Sequence, residues 1–171
     1  MTHDRVPTTD TPQGVRRLNH AVLYVADAEV SASFYCDILG FTVAHRFAGA
    51  FFLRAAHSPN DHDLGLFSIG HRGGGPTRAG IGLYHLAWQV DTIEELAAMR
   101  ARLLAAGSLV GESDHGVSKS LYAQDPDGIE FEVMWAVPSA TWDGRVGTDR
   151  LDLPAELARW AATPTLRESN C

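Results

Sequence analysis

Cysteine is scarce. Only Cys36 and Cys171 occur among 171 residues, so no disulfide framework can staple the fold, and a reducing cytoplasm suits the chain. Cationic residues are also in deficit, with 14 Lys and Arg against 21 Asp and Glu, and the net charge of −7 argues against a surface for nucleic acid. No apolar run reaches the roughly 18–20 residues of a membrane span, so no membrane partner is expected. Residues 1–14, MTHDRVPTTDTPQG, lack the apolar stretch of a secretory signal and read as a flexible tail. What remains is ordinary globular usage, 45% hydrophobic and 20% charged, in a chain long enough for one domain with a substantial core.

The chain repeats itself. Leu18-Asn19-His20-Ala21-Val22-Leu23-Tyr24-Val25 reads as a strand, followed by a helix over 28–39 with Val30, Phe34, Ile38 and Leu39 at helical spacing. Leu83-Tyr84-His85-Leu86-Ala87-Trp88-Gln89-Val90 repeats that strand 65 residues later, and Asp91 or Thr92 can cap a second helix over 93–106. Each helix precedes three short strand candidates: 41–47, 50–55 and 63–69, then 108–112, 118–124 and 129–135. The expected fold class is α+β: two βαβββ modules, 15–70 and 81–137, paired around a metal-binding cleft. A Gly-rich linker, 71–80, joins them, and an extension over 138–171 carries a short helix starting at Pro154.

His20 and His85 hold the same place in the two repeats, and pseudo-twofold packing would bring equivalent strand positions face to face. A third ligand candidate follows Asp125-Pro126-Asp127-Gly128, a strong turn signal. On the strand after it Glu132 shares a face with Glu130 and Met134, opposite Phe131, Val133 and Trp135. Glu130 is expected to be a solvated carboxylate. Two imidazoles and one carboxylate leave open positions on a non-haem iron(II), so Fe(II) is the expected cofactor, with Mn(II) as the alternative. The turn also bears on Tyr122. If it is a type I turn with a glycine bulge, Asp125 pairs with Ile129 and Tyr122 with Glu132, on one face; a plain two-residue loop would turn Tyr122 away.

On these residues the chain resembles the vicinal oxygen chelate superfamily over about residues 16–137. That group includes glyoxalases, fosfomycin-resistance transferases, metal-free drug-binding proteins and extradiol catechol dioxygenases. Glyoxalase-like members carry a carboxylate on the last strand of each module, whereas the 65-residue offset sets Phe67 opposite Glu132, and phenylalanine cannot ligate. His62-Asp63-Leu64-Gly65-Leu66 resembles the extradiol His-Asp-aliphatic motif, and Asp114-His115-Gly116 with Tyr122 resembles the extradiol His-Gly and Tyr pattern. His115 and Tyr122 stand slightly closer together than in large two-domain extradiol enzymes. The resemblance implies an iron(II) extradiol dioxygenase taking a small aromatic diol and O2. Its metal ligands would be His20, His85 and Glu132, with no separate organic cofactor. His62 would be the acid–base group, and His115 and Tyr122 would hydrogen-bond the substrate oxygens. A homodimer would be in keeping with other two-module members. The alternatives are a fosfomycin-resistance-like thiol transferase, which has no evident need for His62, His115 and Tyr122 together, a glyoxalase-like enzyme, and a small-molecule binding protein, which needs none of the metal ligands.

Overall fold

The computed structural model describes residues 14–71, 81–144 and 147–161. Most of the expected tail (1–13), most of the linker (72–80), residues 145–146 and the chain end (162–171) lie outside the described residues.

Alternation of side chains makes β1 (Ala21–Val25), which buries Leu23 and Val25 and exposes Val22 and Tyr24. The Asp27 side chain accepts from the Glu29 N–H at 2.9 Å and caps α1 (Ala28–Leu39). Gly40, at φ 77°, closes the helix in the left-handed region that a side chain would disfavour. Then come β2 (Thr42–Phe47), β3 (Ala50–Arg54) and β4 (Leu64–Ser68), giving a sheet of order β1-β4-β3-β2 in which β1 and β4 run parallel.

The second half repeats this as β5 (Leu86–Val90), α2 (Ile93–Ala105), β6 (Leu109–Asp114), β7 (Ser118–Gln124) and β8 (Glu130–Ala136), with sheet order β5-β8-β7-β6. Thr92, not Asp91, caps α2, and it forms a capping box with Glu95. The fold class is thus α+β with two modules, as the repeat predicts. Both first strands begin three residues later than the sequence pattern implies. The Ala21 N–H donates to the Asp63 carbonyl at 2.9 Å, the β1–β4 register begins at Ala21–Leu64, and Leu18 and Leu83 are exposed. His20 and His85 therefore stand immediately ahead of their strands.

Each module has its own core, and the two merge at Phe34, Leu39 and Trp88, which pack against both. A polar clamp reinforces the seam. Asp125, at the β7–β8 turn, accepts from the Tyr35 phenol at 3.2 Å, and Asp127 accepts from the Ala26 N–H at 3.1 Å. The extension is docked as well: α3 (Leu153–Trp160) begins one residue earlier than expected and packs Trp160 against Trp135, tilted, at 5.7 Å between centroids. Its Glu156 sits 3.4 Å from the Lys119 ammonium, which is only 3% exposed and also pairs with Asp114 at 2.6 Å. Among the described residues no helix is long and apolar enough to cross a membrane.

The clamp yields a prediction. Burial raises the Asp125 carboxyl above the ordinary range, while N–H donors of Ile129 and Asp127 and the Tyr35 phenol oppose the shift. Tyr35→Phe removes one opposing donor, so the carboxyl of the variant lies higher still. An Asp with a raised folded value holds its proton more tightly folded than unfolded, and its stability falls as pH rises through that value. The variant should therefore lose about 1.5–3 kcal/mol near pH 8, the range for a hydrogen bond to a charged group, and less near pH 3, below the ordinary carboxylate value of about 3.9. Urea unfolding at both pH values measures this; equal penalties would refute a charged acceptor.

Candidate active site

Strand alternation separates stability from chemistry. On β8, Phe131, Val133 and Trp135 are buried in the helix-side core, and Glu132 points to the opposite face. The turn before it is the glycine-bulged kind: Gly128 has φ 80°, its N–H donates to the Asp125 carbonyl at 2.9 Å, and the Asp125 N–H donates to the Ile129 carbonyl at 3.1 Å. The resulting register sets Tyr122 opposite Glu132 and Ala87 opposite Glu132 on the other side. Of the two registers left open by the sequence, this one puts the phenol beside the carboxylate.

His85, just ahead of β5, places Nε2 3.0 Å from Glu132 Oε2, with both side chains mostly buried. Its Nδ1 is buried with no hydrogen-bond partner among the described residues, so its polar contact is on the Glu132 side. The His85 ring lies 5.7 Å from that of Tyr122, and His115 Nε2 is 2.8 Å from the Tyr122 hydroxyl. Burial first, then the Glu132 carboxylate, raise the Tyr122 phenol above its ordinary value, so it stays protonated at neutral pH. Four of the six predicted residues, His85, Glu132, Tyr122 and His115, thus form one chain of contacts.

The other two meet on the first sheet. His20 and His62 pack with ring centroids 4.6 Å apart, and the edge of Phe52 meets His62 at 5.0 Å. The loop that delivers His62 is tied down by Asp63, which accepts from Ala55 N–H at 2.9 Å, Ser58 hydroxyl at 2.7 Å and Asn60 amide at 2.7 Å. Asn60 also donates to the Asn19 carbonyl at 2.8 Å, linking the loop to the residue before His20. Asp61 lies 2.9 Å from His62 Nδ1 and 2.9 Å from His45 Nε2, and these contacts, His62 first, hold its carboxyl below the ordinary range. Asp61 and His45 are not candidates on sequence grounds, although Asp61 is the immediate neighbour of His62.

Two expectations need correction. Glu130 is not solvated but only 9% exposed, because β8 is flanked by β5 and β7. The counterpart of Glu132 in the first module is Gly65 rather than Phe67: Val22 pairs with Gly65 as Ala87 pairs with Glu132. The second module is two residues longer between these positions, which a fixed offset misses. Glycine supplies no donor either.

The donor types suit a borderline divalent ion. Two ligands about 2.1 Å from one ion at a right angle would stand about 3.0 Å apart, and His85 Nε2 and Glu132 Oε2 are separated by 3.0 Å. His20 stands with His62 instead, and among the described residues no three His, Cys, Asp or Glu side chains group closely enough to hold a metal. An open cavity of about 880 Å³ between α2, β6 and α3, lined by Arg100, Glu112 and Arg150 among others, includes none of the six candidates.

Two βαβββ repeats, each turning one face of its sheet away from its helix, define a two-module glyoxalase-type fold. The chain belongs to the Glyoxalase/Bleomycin resistance protein/Dioxygenase superfamily, which matches residues 17–133. It is 33% identical over 128 residues to catechol-2,3-dioxygenase of Bacillus subtilis (strain 168), covering 73% of this chain and 43% of that protein. It is 32% identical over 134 residues to biphenyl-2,3-diol 1,2-dioxygenase 3 of Rhodococcus globerulus, covering 74% of this chain and 68% of that one. The chain thus spans less than half of the Bacillus relative. A glyoxylase/bleomycin resistance protein/dioxygenase domain from Frankia sp. EAN1pec shares the fold, with a TM-score of 0.61 and 22% identity over 72% of this chain and 100% of that one.

Proposed function

We propose that this protein is an iron(II)-dependent extradiol ring-cleaving dioxygenase acting on a catechol-type diol and O2. The observation that carries the reading is the contact chain His115–Tyr122–Glu132–His85, which sets hydrogen-bonding groups directly beside a histidine–carboxylate donor pair. A metal-free binding protein has no need of that juxtaposition. The names of the two dioxygenase relatives point the same way.

His85 and Glu132, 3.0 Å apart, would hold the metal, iron(II) or alternatively manganese(II), and His20 would have to turn from its contact with His62 to join them. The metal, once bound, supplies the electron-transfer chemistry that lets O2 react with the diol. The chain's own residues do the rest. Tyr122 and His115 would hydrogen-bond a substrate oxygen and orient the ring. His62, with Nδ1 engaged by Asp61, presents Nε2 to deliver a proton. Phe52, Phe67 and Val22 give the first sheet an apolar face around His62, against which an aromatic ring can lie.

Homodimerisation belongs to this reading. Val22 and Tyr24 on β1 and Leu83 and Tyr84 before β5 are 51–72% exposed, large apolar side chains close in sequence to the ligand-bearing positions. Sedimentation velocity should report twice the 18.5 kDa chain mass, and a monomer at micromolar concentration would contradict it.

Metal content tests the ligand set. His20→Ala, His85→Ala and Glu132→Ala should each lose iron after anaerobic loading and desalting, whereas Glu130→Ala should retain it. Full occupancy in Glu132→Ala would remove that carboxylate from the site.

Oxygen uptake tests the reaction. The iron-loaded protein should consume one O2 per catechol and generate the yellow ring-opened product. His62→Phe should keep iron and diol binding but lose about 10²–10⁴ in turnover, the span for an acid–base group. If no catechol is consumed while a thiol opens an epoxide, the transferase reading replaces this one.

A further inference from the structure

The superfamily match ends at residue 133, yet the chain continues, and the extension returns to the candidate site. Thr148 Oγ1 lies 3.1 Å from His115 Nδ1, on the side of the ring opposite the 2.8 Å contact between Nε2 and the Tyr122 hydroxyl. The approach is held by backbone: Asp114 and Asp149 exchange two N–H to carbonyl hydrogen bonds, of 2.9 and 2.8 Å. The Asp114 carboxylate in turn accepts from the Gly116 N–H at 2.7 Å and pairs with the buried Lys119 ammonium at 2.6 Å. Leu151, Leu153 and Trp160, all buried in the second core, anchor the extension just beyond Thr148. His115 is fixed from its own side by donating its backbone N–H to the Ser118 carbonyl at 2.9 Å.

A neutral imidazole has one N–H and one bare nitrogen, so its two hydrogen bonds are coupled: what Thr148 does at Nδ1 dictates what Nε2 does at Tyr122. Two directions exist. In one, the phenol spends its proton on His115. In the other, Nε2–H donates to the phenol oxygen, and the phenol proton is left to point elsewhere. The second is favoured because Tyr122 faces the Glu132 carboxylate across the strands. A negative charge on that side attracts the phenol hydrogen and repels the oxygen lone pairs.

We propose that Thr148 is a positioning residue: its hydroxyl donates to His115 Nδ1, holds the ring in the Nε2–H form, and leaves the Tyr122 proton for a substrate oxygen. The consequence for turnover rests on the ring-cleavage reading; the tautomer does not. An extension outside the matched domain thereby sets the polarity of a relay inside it, Thr148 to His115 to Tyr122.

The test is the ¹⁵N spectrum of histidine-labelled protein, recorded on the full chain at a pH where His115 is neutral, with His115→Gln assigning the signals. Wild type should show a protonated Nε2 and a bare Nδ1. Thr148→Val, nearly isosteric at an exposed site, should shift both nitrogens toward averaged or inverted values, and Thr148→Ser should restore them. A protonated Nδ1 in wild type, or a spectrum unmoved by Thr148→Val, overturns the proposal. With catechol as substrate, kcat should fall about five- to tenfold in Thr148→Val, the scale of one hydrogen bond, and recover in Thr148→Ser. If wild type consumes no catechol, the ring-cleavage reading falls, and the ¹⁵N result still decides for or against Thr148.

Discussion

The register across the Asp125–Gly128 turn is the constraint on which the site depends. Strand side chains alternate with a period of two, so a slip of one residue between β7 and β8 would send Glu132 into the helix-side core and Val133 into solvent. Asp125 holds the register by accepting from the Asp127 and Ile129 N–H groups at 2.9 Å each, while its second oxygen accepts from Tyr35 of the other module. One carboxylate therefore aligns Tyr122 with Glu132 and fastens the two halves of the chain together. Its burial is unfavourable for a charge, and the three donors aimed at it offset that.

The two modules share a backbone plan and differ in what they present on the face away from the helices. Where the second module has Glu132, the first has Gly65, with Val22 and Phe52 carbons 3.4–3.6 Å from where a Cβ would stand. The first sheet therefore offers an apolar floor of Val22, Phe52 and Phe67, rimmed by His20, His45 and His62. The second offers donors and acceptors: Glu132, Tyr122, His115 and His85. Duplication supplied two equal frames, and side-chain choice at the period-two positions divided the work between them.

Much of this was legible in the sequence because it rests on local patterns. The repeated strand–Asp–helix pattern gives the modules, the Asp-Pro-Asp-Gly turn gives the β7–β8 hairpin, and alternation on β8 separates Glu132 from Phe131 and Val133. The misses have a common cause. Counting residues matches Phe67 to Glu132, and the second module, two residues longer in net between the paired positions, breaks the count. Glu130 looked solvated because its burial depends on the neighbouring strands β5 and β7, which one strand's pattern cannot reveal. Asp61 gave a weak local signal as a carboxylate next to a histidine. Thr148 gave none, since a contact across 33 residues and an irregular segment leaves no periodicity to read.

The distribution of the candidates follows from how each is held. His20, His62 and His85 all stand at strand entries, where the ladder has not begun and a side chain can turn toward a neighbouring element. Such positions have few backbone restraints, so each is fixed from elsewhere: His62 by the Asp63-centred loop, His20 by that loop through Asn19 and Asn60, His85 by Glu132. Tyr122 and Glu132 are inside strands and take their direction from the sheet itself. The most rigid groups are therefore the phenol and the carboxylate, and the imidazoles converge on sites that rigid neighbours define. That order suits the proposed centre, in which the phenol would hold a substrate oxygen while a neighbouring histidine would deliver a proton.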